Sequence, residues 1–263
     1  MKALLVKAST IHLCPIIKTI KTGIVATSSV THATPACFYG NQVNRYGVDE
    51  DLAKQFISSN INVLIGGGRD YFNKRSDFLN LIDSLEENNY VVIDSITEDI
   101  PDDTEKLINF CAPTNPLSKI EGRGDFLPLA AKRAVTVLNT NNNNGFFLMI
   151  EGSQIDWGGH QNDSEYIISE TLDFDNTIKK MLDFAEKDKH TLVLITADHE
   201  TGGYGITGGN IEDNTLETNF LTDQHTATMI PIFAFGPGAK DFIGIYHNNE
   251  LYNKILANFQ IDN

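Results

Sequence analysis

The sequence is short of positive charge, of cysteine and of long apolar runs. Lys and Arg number 20 against 35 Asp and Glu, which leaves a net charge of −15 over 263 residues. So acidic a chain lacks the basic patches on which sequence-independent nucleic-acid binding rests, and no nucleic-acid partner is expected. The acid excess favours solubility, and it also suits a protein that gathers metal cations. The three cysteines, Cys14, Cys37 and Cys111, are odd in number and widely spaced. They make neither a disulfide framework nor a CxxC zinc knuckle. The longest apolar runs, such as Phe146 to Ile150, fall far short of the ~20 residues of a membrane span. Lys7, Ser9, Thr10 and His12 interrupt the apolar patch Ala3 to Val6 before it reaches signal-peptide length, so no clear export signal is read.

What remains is an ordinary folded composition, 41% hydrophobic and 21% charged, which excludes general disorder, a coiled coil and a collagen-like chain. Short apolar runs alternate with helical stretches. Strands are expected at Gly23 to Val30, Ile61 to Ile65, Tyr90 to Ile93, Phe146 to Ile150, Thr191 to Thr196 and Pro231 to Phe235. Helices are expected at Pro35 to Arg45, Val48 to Ser58, Asn73 to Asn88, Leu127 to Leu138, Ser164 to Glu186 and Glu250 to Phe259. Pro101 to Asp125 and Gly202 to Phe220 read as irregular, being rich in breakers. The alternation implies an α/β fold with a mostly parallel sheet covered on both faces. No internal repeat and no firm domain boundary is apparent.

In open α/β sheets function gathers at the carboxyl ends of strands, and polar clusters follow several of these runs. Phe146 to Ile150 leads into Glu151-Gly-Ser-Gln-Ile-Asp156-Trp-Gly-Gly-His160, and Thr191 to Thr196 into Ala197-Asp198-His199-Glu200-Thr-Gly-Gly. Ile24 to Val30 leads into Thr31-His32-Ala-Thr34-Pro35, and His225 stands before the last strand. Singly, each has an ordinary reading. A carboxylate after a strand is often a helix cap, and a loop histidine is usually just solvated. Together, Asp156, His160, Asp198, His199 and His225 offer mixed nitrogen and oxygen ligation that suits zinc. Glu151 adds a carboxylate suited to Mg²⁺. Two cations about 4 Å apart are a common clamp for phosphoryl transfer.

With these segments in view, the sequence resembles the alkaline phosphatases, phosphomonoesterases with two zinc sites and one magnesium site. The matching segments are Thr31-His-Ala-Thr-Pro-Ala36, Glu151 to His160, Thr196-Ala-Asp-His-Glu-Thr-Gly-Gly203, His225-Thr226 and Phe235-Gly-Pro-Gly238. They occur in the family's order, and the resemblance runs from about Lys21 to Phe259. The resemblance implies a three-layer α/β/α sandwich over 21–263, partial and possibly incomplete at its N-terminus, preceded by an unmatched segment 1–20. It assigns Asp156, His160 and His225 to a first zinc, Asp198 and His199 to a second, and Thr34 and Glu151 to magnesium, with His32 beside it. Arg45 falls where the family clamps phosphate, a task for which a guanidinium fork is suited. The implied ligands are phosphomonoesters and inorganic phosphate. A homodimer and a periplasmic or secreted location are typical of the family.

The family mechanism passes through a phosphoserine. Its nucleophilic Ser, and an Asp shared between the second zinc and the magnesium, come from a segment before the Thr31 motif, and neither is recognisable before Thr31. The expectation is therefore a C-terminal portion of an alkaline phosphatase with the second zinc site and the magnesium site each one ligand short. The alternatives are an inactive metal- and phosphate-binding fragment, or a relative of the sulfatase or phosphomutase kind.

Overall fold

The computed structural model describes residues 20–259 in full, and the backbone alone of the strand at 2–8. Ser9, Thr10, His12 and Cys14 lie outside the described residues. In chain order the strands are β1 (Lys2–Ala8), β2 (Lys21–Ser29), β3 (Val63–Gly67), β4 (Val91–Ile93), β5 (Leu107–Ala112) and β6 (Gly145–Glu151). They continue with β7 (Thr191–Thr196), β8 (Glu200–Thr201), β9 (Gly205–Asn210), β10 (Thr215–Asn219), β11 (His225–Thr226) and β12 (Phe233–Phe235). The helices are α1 (Ala33–Ala36), α2 (Asp49–Ile57), α3 (Asp70–Asn73), α4 (Leu81–Glu87), α5 (Phe126–Asn139), α6 (Gln154–His160), α7 (Ser164–Asp188) and α8 (Glu250–Asn258). None of the described helices is long and apolar enough to cross a membrane.

Eight strands form the main sheet in the order β12-β7-β1-β6-β2-β3-β5-β4. From β6 to β4 the five strands are parallel. β1 lies between β6 and β7 and is antiparallel to both, and β12 is antiparallel to β7 at one edge.

The sheet is buried on both faces, and the two-residue repeat of a strand divides its side chains between them. Val63 and Ile65 of β3, Leu148 and Ile150 of β6 and Val193 of β7 pack with α5 and α7. Leu64, Met149, Leu192 and Leu194, from the same strands, belong to a second cluster on the opposite face, which also takes in residues of α2 and α4. This is a three-layer α/β/α sandwich, and near-continuous apolar strands are what such a sheet requires.

Four expectations need correction. The helix expected over Pro35 to Arg45 ends at Ala36. Gly40 lies so close to Leu52 that a Cβ there would come within 2.4 Å of its side chain, and the following Asn41, Gln42 and Asn44 offer no apolar stripe. The helix expected over Asn73 to Asn88 is broken between α3 and α4. There the Arg75 guanidinium donates to the Glu50 and Tyr71 carbonyls and to Asp77, and Ser76 binds the Glu50 carboxylate. Phe78 in this stretch has φ 60° and is 96% exposed.

The irregular stretch Pro101 to Asp125 hides β5, whose Leu107, Ile108 and Phe110 are buried. Its polar interruption, Asn109, is also buried and donates to the Ile93 carbonyl at 3.1 Å. The stretch Gly202 to Phe220 contains the hairpin β9–β10, which forms a separate two-stranded sheet.

The rest of Pro101 to Asp125 is tied to α7 by charge. Arg123 is bonded to Glu170 Oε1 at 2.9 Å and to Asp173 Oδ2 at 3.1 Å, and Lys119 Nζ reaches Asp173 Oδ1 at 2.9 Å. The side chains of Arg123, Glu170 and Asp173 are 3%, 1% and 0% exposed. Removing one member of such a buried set strands its partner charge in a medium that solvates it poorly, at a cost of about 3–5 kcal/mol. Glu170→Ala is expected to lose that much stability in urea unfolding. Asp183→Ala, which breaks the exposed i,i+4 pair with Lys179, is expected to lose about 0.5 kcal/mol or less. Equal losses in the two variants would disprove the burial argument.

Candidate functional site

The carboxyl ends of β2, β6 and β7 deliver the polar segments to one edge of the sheet. β6 ends at Glu151, and Gly152-Ser153 turns the chain into α6. Ser153 seats this turn on the neighbouring strand. Its N–H donates to Thr27 Oγ1 at 2.9 Å, and its hydroxyl donates to Glu151 Oε2 at 2.7 Å and lies 3.1 Å from Ser28 Oγ. Gln154, 1% exposed, then fixes the start of α6. Its amide donates to the Thr27 and Pro116 carbonyls at 2.8 and 3.0 Å, and its oxygen accepts from the Tyr166 hydroxyl at 2.6 Å.

On α6, Asp156 and His160 are four residues apart and so share a face. His225, from β11, meets them across the gap. The His160 Nε2 to His225 Nε2 distance is 3.1 Å, and Asp156 Oδ1 lies 3.5 Å from each of these nitrogens. His160 Nδ1 donates to the Asp223 carbonyl at 2.6 Å, which leaves Nε2 as its bare, lone-pair nitrogen. Bonds of the zinc–nitrogen length, about 2.0–2.1 Å, place tetrahedral ligands roughly 3.3 Å apart. The triangle of donor atoms has that size, and a backbone carbonyl behind a ring is the usual support of a ligating histidine. The donor set therefore fits the implied zinc.

His199 stacks on His225 with ring centroids 3.5 Å apart, and its Nε2 lies 3.4 Å from Asp198 Oδ2. A second donor pair of ligand spacing thus sits beside the first. Thr201, on β8, stands between the two groups: its hydroxyl is 2.5 Å from Asp156 Oδ1 and 3.2 Å from His199 Nδ1. Burial, followed by the neighbouring His199, lowers the pKa of His225 and favours the neutral ring that can ligate. A cavity of about 270 Å³ is lined in part by Asp156, Asp198, His199, Thr201 and Tyr204.

The elements implied for magnesium lie on the other side of α6. Glu151 is buried, Thr34 is half-buried in α1, and His32 precedes that helix. The His32 ring meets Trp157 edge-on at 5.8 Å, and its buried Nδ1 has no hydrogen-bond partner. Burial lowers its pKa. The Glu151, Asp156 and Asp49 carboxylates act against that shift and Arg45 acts with it. A buried carboxylate and an orphaned imidazole nitrogen in one place are compatible with a cation site. Arg45 itself lies in the exposed loop between α1 and α2, with its guanidinium 5.8 Å from the Tyr46 ring centroid.

Comparison with known proteins gives the family. The family model described as alkaline phosphatase matches residues 10–219. The chain belongs to the alkaline phosphatase family. It is 35% identical to alkaline phosphatase 4 of Bacillus subtilis (strain 168), over 86% of this chain and 50% of that protein. It is 29% identical to alkaline phosphatase 3 of the same organism, over 91% of this chain and 68% of that protein. Among solved structures it is similar to the alkaline phosphatase of the Antarctic bacterium TAB5, with a TM-score of 0.86 and 40% identity over 95% of this chain and 75% of that one. A variant of the TAB5 enzyme was solved with Mg bound in its M3 site. The chain thus spans from half to three quarters of the length of these family members.

Gln154, Thr201, Tyr166 and the Asp223 carbonyl were not singled out from sequence. Gln154 and Thr201 lie inside the motifs that carry the family resemblance, which was the available signal. A backbone carbonyl leaves none.

The approach of α6 to β8 depends on Gly159, where a Cβ would come within 2.8 Å of the Thr201 carbonyl oxygen. Backbone cannot yield as a side chain can. Gly159→Ala is therefore expected to cost about 1–3 kcal/mol in denaturant unfolding, as overpacking does. An unchanged midpoint would show that the contact is not tight.

Proposed function

We propose that this chain is a metal-dependent phosphomonoester hydrolase of the alkaline phosphatase kind. The observation that carries the reading is the triangle of His160 Nε2, His225 Nε2 and Asp156 Oδ1, with edges of 3.1, 3.5 and 3.5 Å. Asp156, His160 and His225 hold one zinc, Asp198 and His199 contribute to a second, and Thr34 and Glu151 contribute to a magnesium with His32 beside it. When bound, such ions supply Lewis-acid charge that stabilises phosphoryl oxygens. Arg45 offers paired N–H donors to two of those oxygens. The carbonyl of Asp223 and the hydroxyl of Ser153 orient His160 and Glu151, so the donors are aimed before any ligand arrives. The substrate class is phosphomonoesters, with inorganic phosphate as product.

A second reading, in which the chain binds metal and phosphate without turnover, is favoured by one observation. The strand seated between β6 and β7 runs antiparallel and brings its beginning, not its end, to the site edge. Lys2 holds the register position opposite Glu151 and Thr196.

The deciding experiment is hydrolysis of a chromogenic phosphate ester by the purified chain with added Zn²⁺ and Mg²⁺, with His199→Ala as control. Metal-dependent turnover that the control loses is the expected result. Zinc uptake without turnover would give the second reading, and a folded chain that binds neither zinc nor phosphate would end both. His225→Ala is expected to lower zinc content by about one ion per chain, read by elemental analysis, since one ligand of three is removed. Arg45→Ala is expected to weaken phosphate binding by about 1.5–3 kcal/mol, the range for a charged hydrogen bond. Undiminished phosphate affinity in calorimetry would remove Arg45 from the site.

A further inference from the structure

We propose that Thr201 is a positioning residue for both metal sites, its single hydroxyl orienting Asp156 of one and fixing which nitrogen of His199 faces the other. The inference rests on the metal-site reading above and extends it to a residue that ligates nothing.

The argument follows hydrogen-bond direction. Thr201 Oγ1 lies 2.5 Å from Asp156 Oδ1 and 3.2 Å from His199 Nδ1. An ionised carboxylate can only accept, so the hydroxyl donates to Asp156. Its one proton is then committed, and toward His199 the oxygen acts as acceptor. His199 therefore carries its ring proton on Nδ1 and leaves Nε2 bare. Nε2 is the atom that faces Asp198 Oδ2 at 3.4 Å. A neutral imidazole ligates through its bare nitrogen, and the group bonded to the other nitrogen selects it. The chain His199 Nδ1–H to Thr201 O–H to Asp156 thus links the ligand atom of one site to the carboxylate of the other.

Three further contacts hold Thr201 in place. It pairs with His225 across the β8–β11 ribbon, its side chain packs on Gly159 next to His160, and Gly202 follows with φ 90°. That left-handed residue turns the chain away, and a Cβ there would come within 2.9 Å of the Gly159 carbonyl oxygen. The hydroxyl has little freedom to move off its two partners.

The test compares Thr201→Val, which keeps the branched shape and removes the hydroxyl, with Thr201→Ser, which keeps the hydroxyl and removes the methyl. Zinc affinity of the full chain is measured by chelator competition, and Co²⁺ replaces zinc for the visible spectrum of its tetrahedral sites. Thr201→Val is expected to bind zinc about 10–100-fold more weakly with an altered Co²⁺ spectrum, the range for loss of a group that supports metal ligands. Thr201→Ser is expected to stay within about threefold of the parent, because its hydroxyl makes the same two bonds. Full zinc affinity in Thr201→Val, or equal losses in both variants, would overturn the proposal. The ¹⁵N resonances of His199 in the parent chain give a test independent of folding in the variants: a proton on Nδ1 is expected, and one on Nε2 would overturn the inference. A parent chain that binds no zinc would overturn the metal reading and this inference together. Zinc uptake by the parent with an unaffected Thr201→Val would overturn this inference alone.

Discussion

How closely α6 can lie against the β8–β11 ribbon governs everything at the carboxyl edge of the sheet. Two ligand atoms come from the helix and one from the ribbon, and a triangle about 3 Å on a side tolerates little slack. Gly159 lets the backbones meet, with the Thr201 carbonyl where a methyl would otherwise stand. The Thr201 hydroxyl and the Asp223 carbonyl then aim the donors. The surrounding packing holds the three donor atoms at that spacing.

That packing is layered outward from α6. Gln154 grips the end of β2, the Pro116 carbonyl and Tyr166 of α7 together. The Pro116 loop is in turn clamped to α7 by Arg123 and Lys119 on Glu170 and Asp173. The charged cluster stands away from the ligands but fixes the loop on which Gln154 rests. Linked contacts of this kind give rigidity that single contacts do not.

The parallel strands were legible in the sequence because a sheet buried on both faces needs unbroken apolar runs. Phe146 to Ile150 and Thr191 to Thr196 could hardly be anything else. β5 was missed because Asn109 interrupts its run, and only the structure shows that Asn109 finds a buried partner in the Ile93 carbonyl. The break between α3 and α4 was missed for a similar reason. Phe78, Leu81, Ile82 and Leu85 have helical spacing, but Arg75 and Ser76 are drawn out of a helical path by Glu50, far away in sequence. The candidate ligand residues could be named from their motifs. Their supports could not, since a carbonyl such as that of Asp223 carries no letter of its own, and the direction of a hydroxyl proton appears only when both its neighbours are known.

The edge of the sheet at β12 gives the acidity of the chain a second meaning. Phe233 and Phe235 both stand exposed on this short strand, which among the described residues has no neighbour on its outer side, and an unpaired edge is a template for pairing with another chain. A charge of −15 keeps copies apart only while their fields reach across the gap, about 10 Å at 0.1 M salt and about 3 Å at 1 M. Ionic strength therefore controls whether that edge stays solitary. In dilute buffer mutual repulsion protects it, and in concentrated salt that protection is screened away.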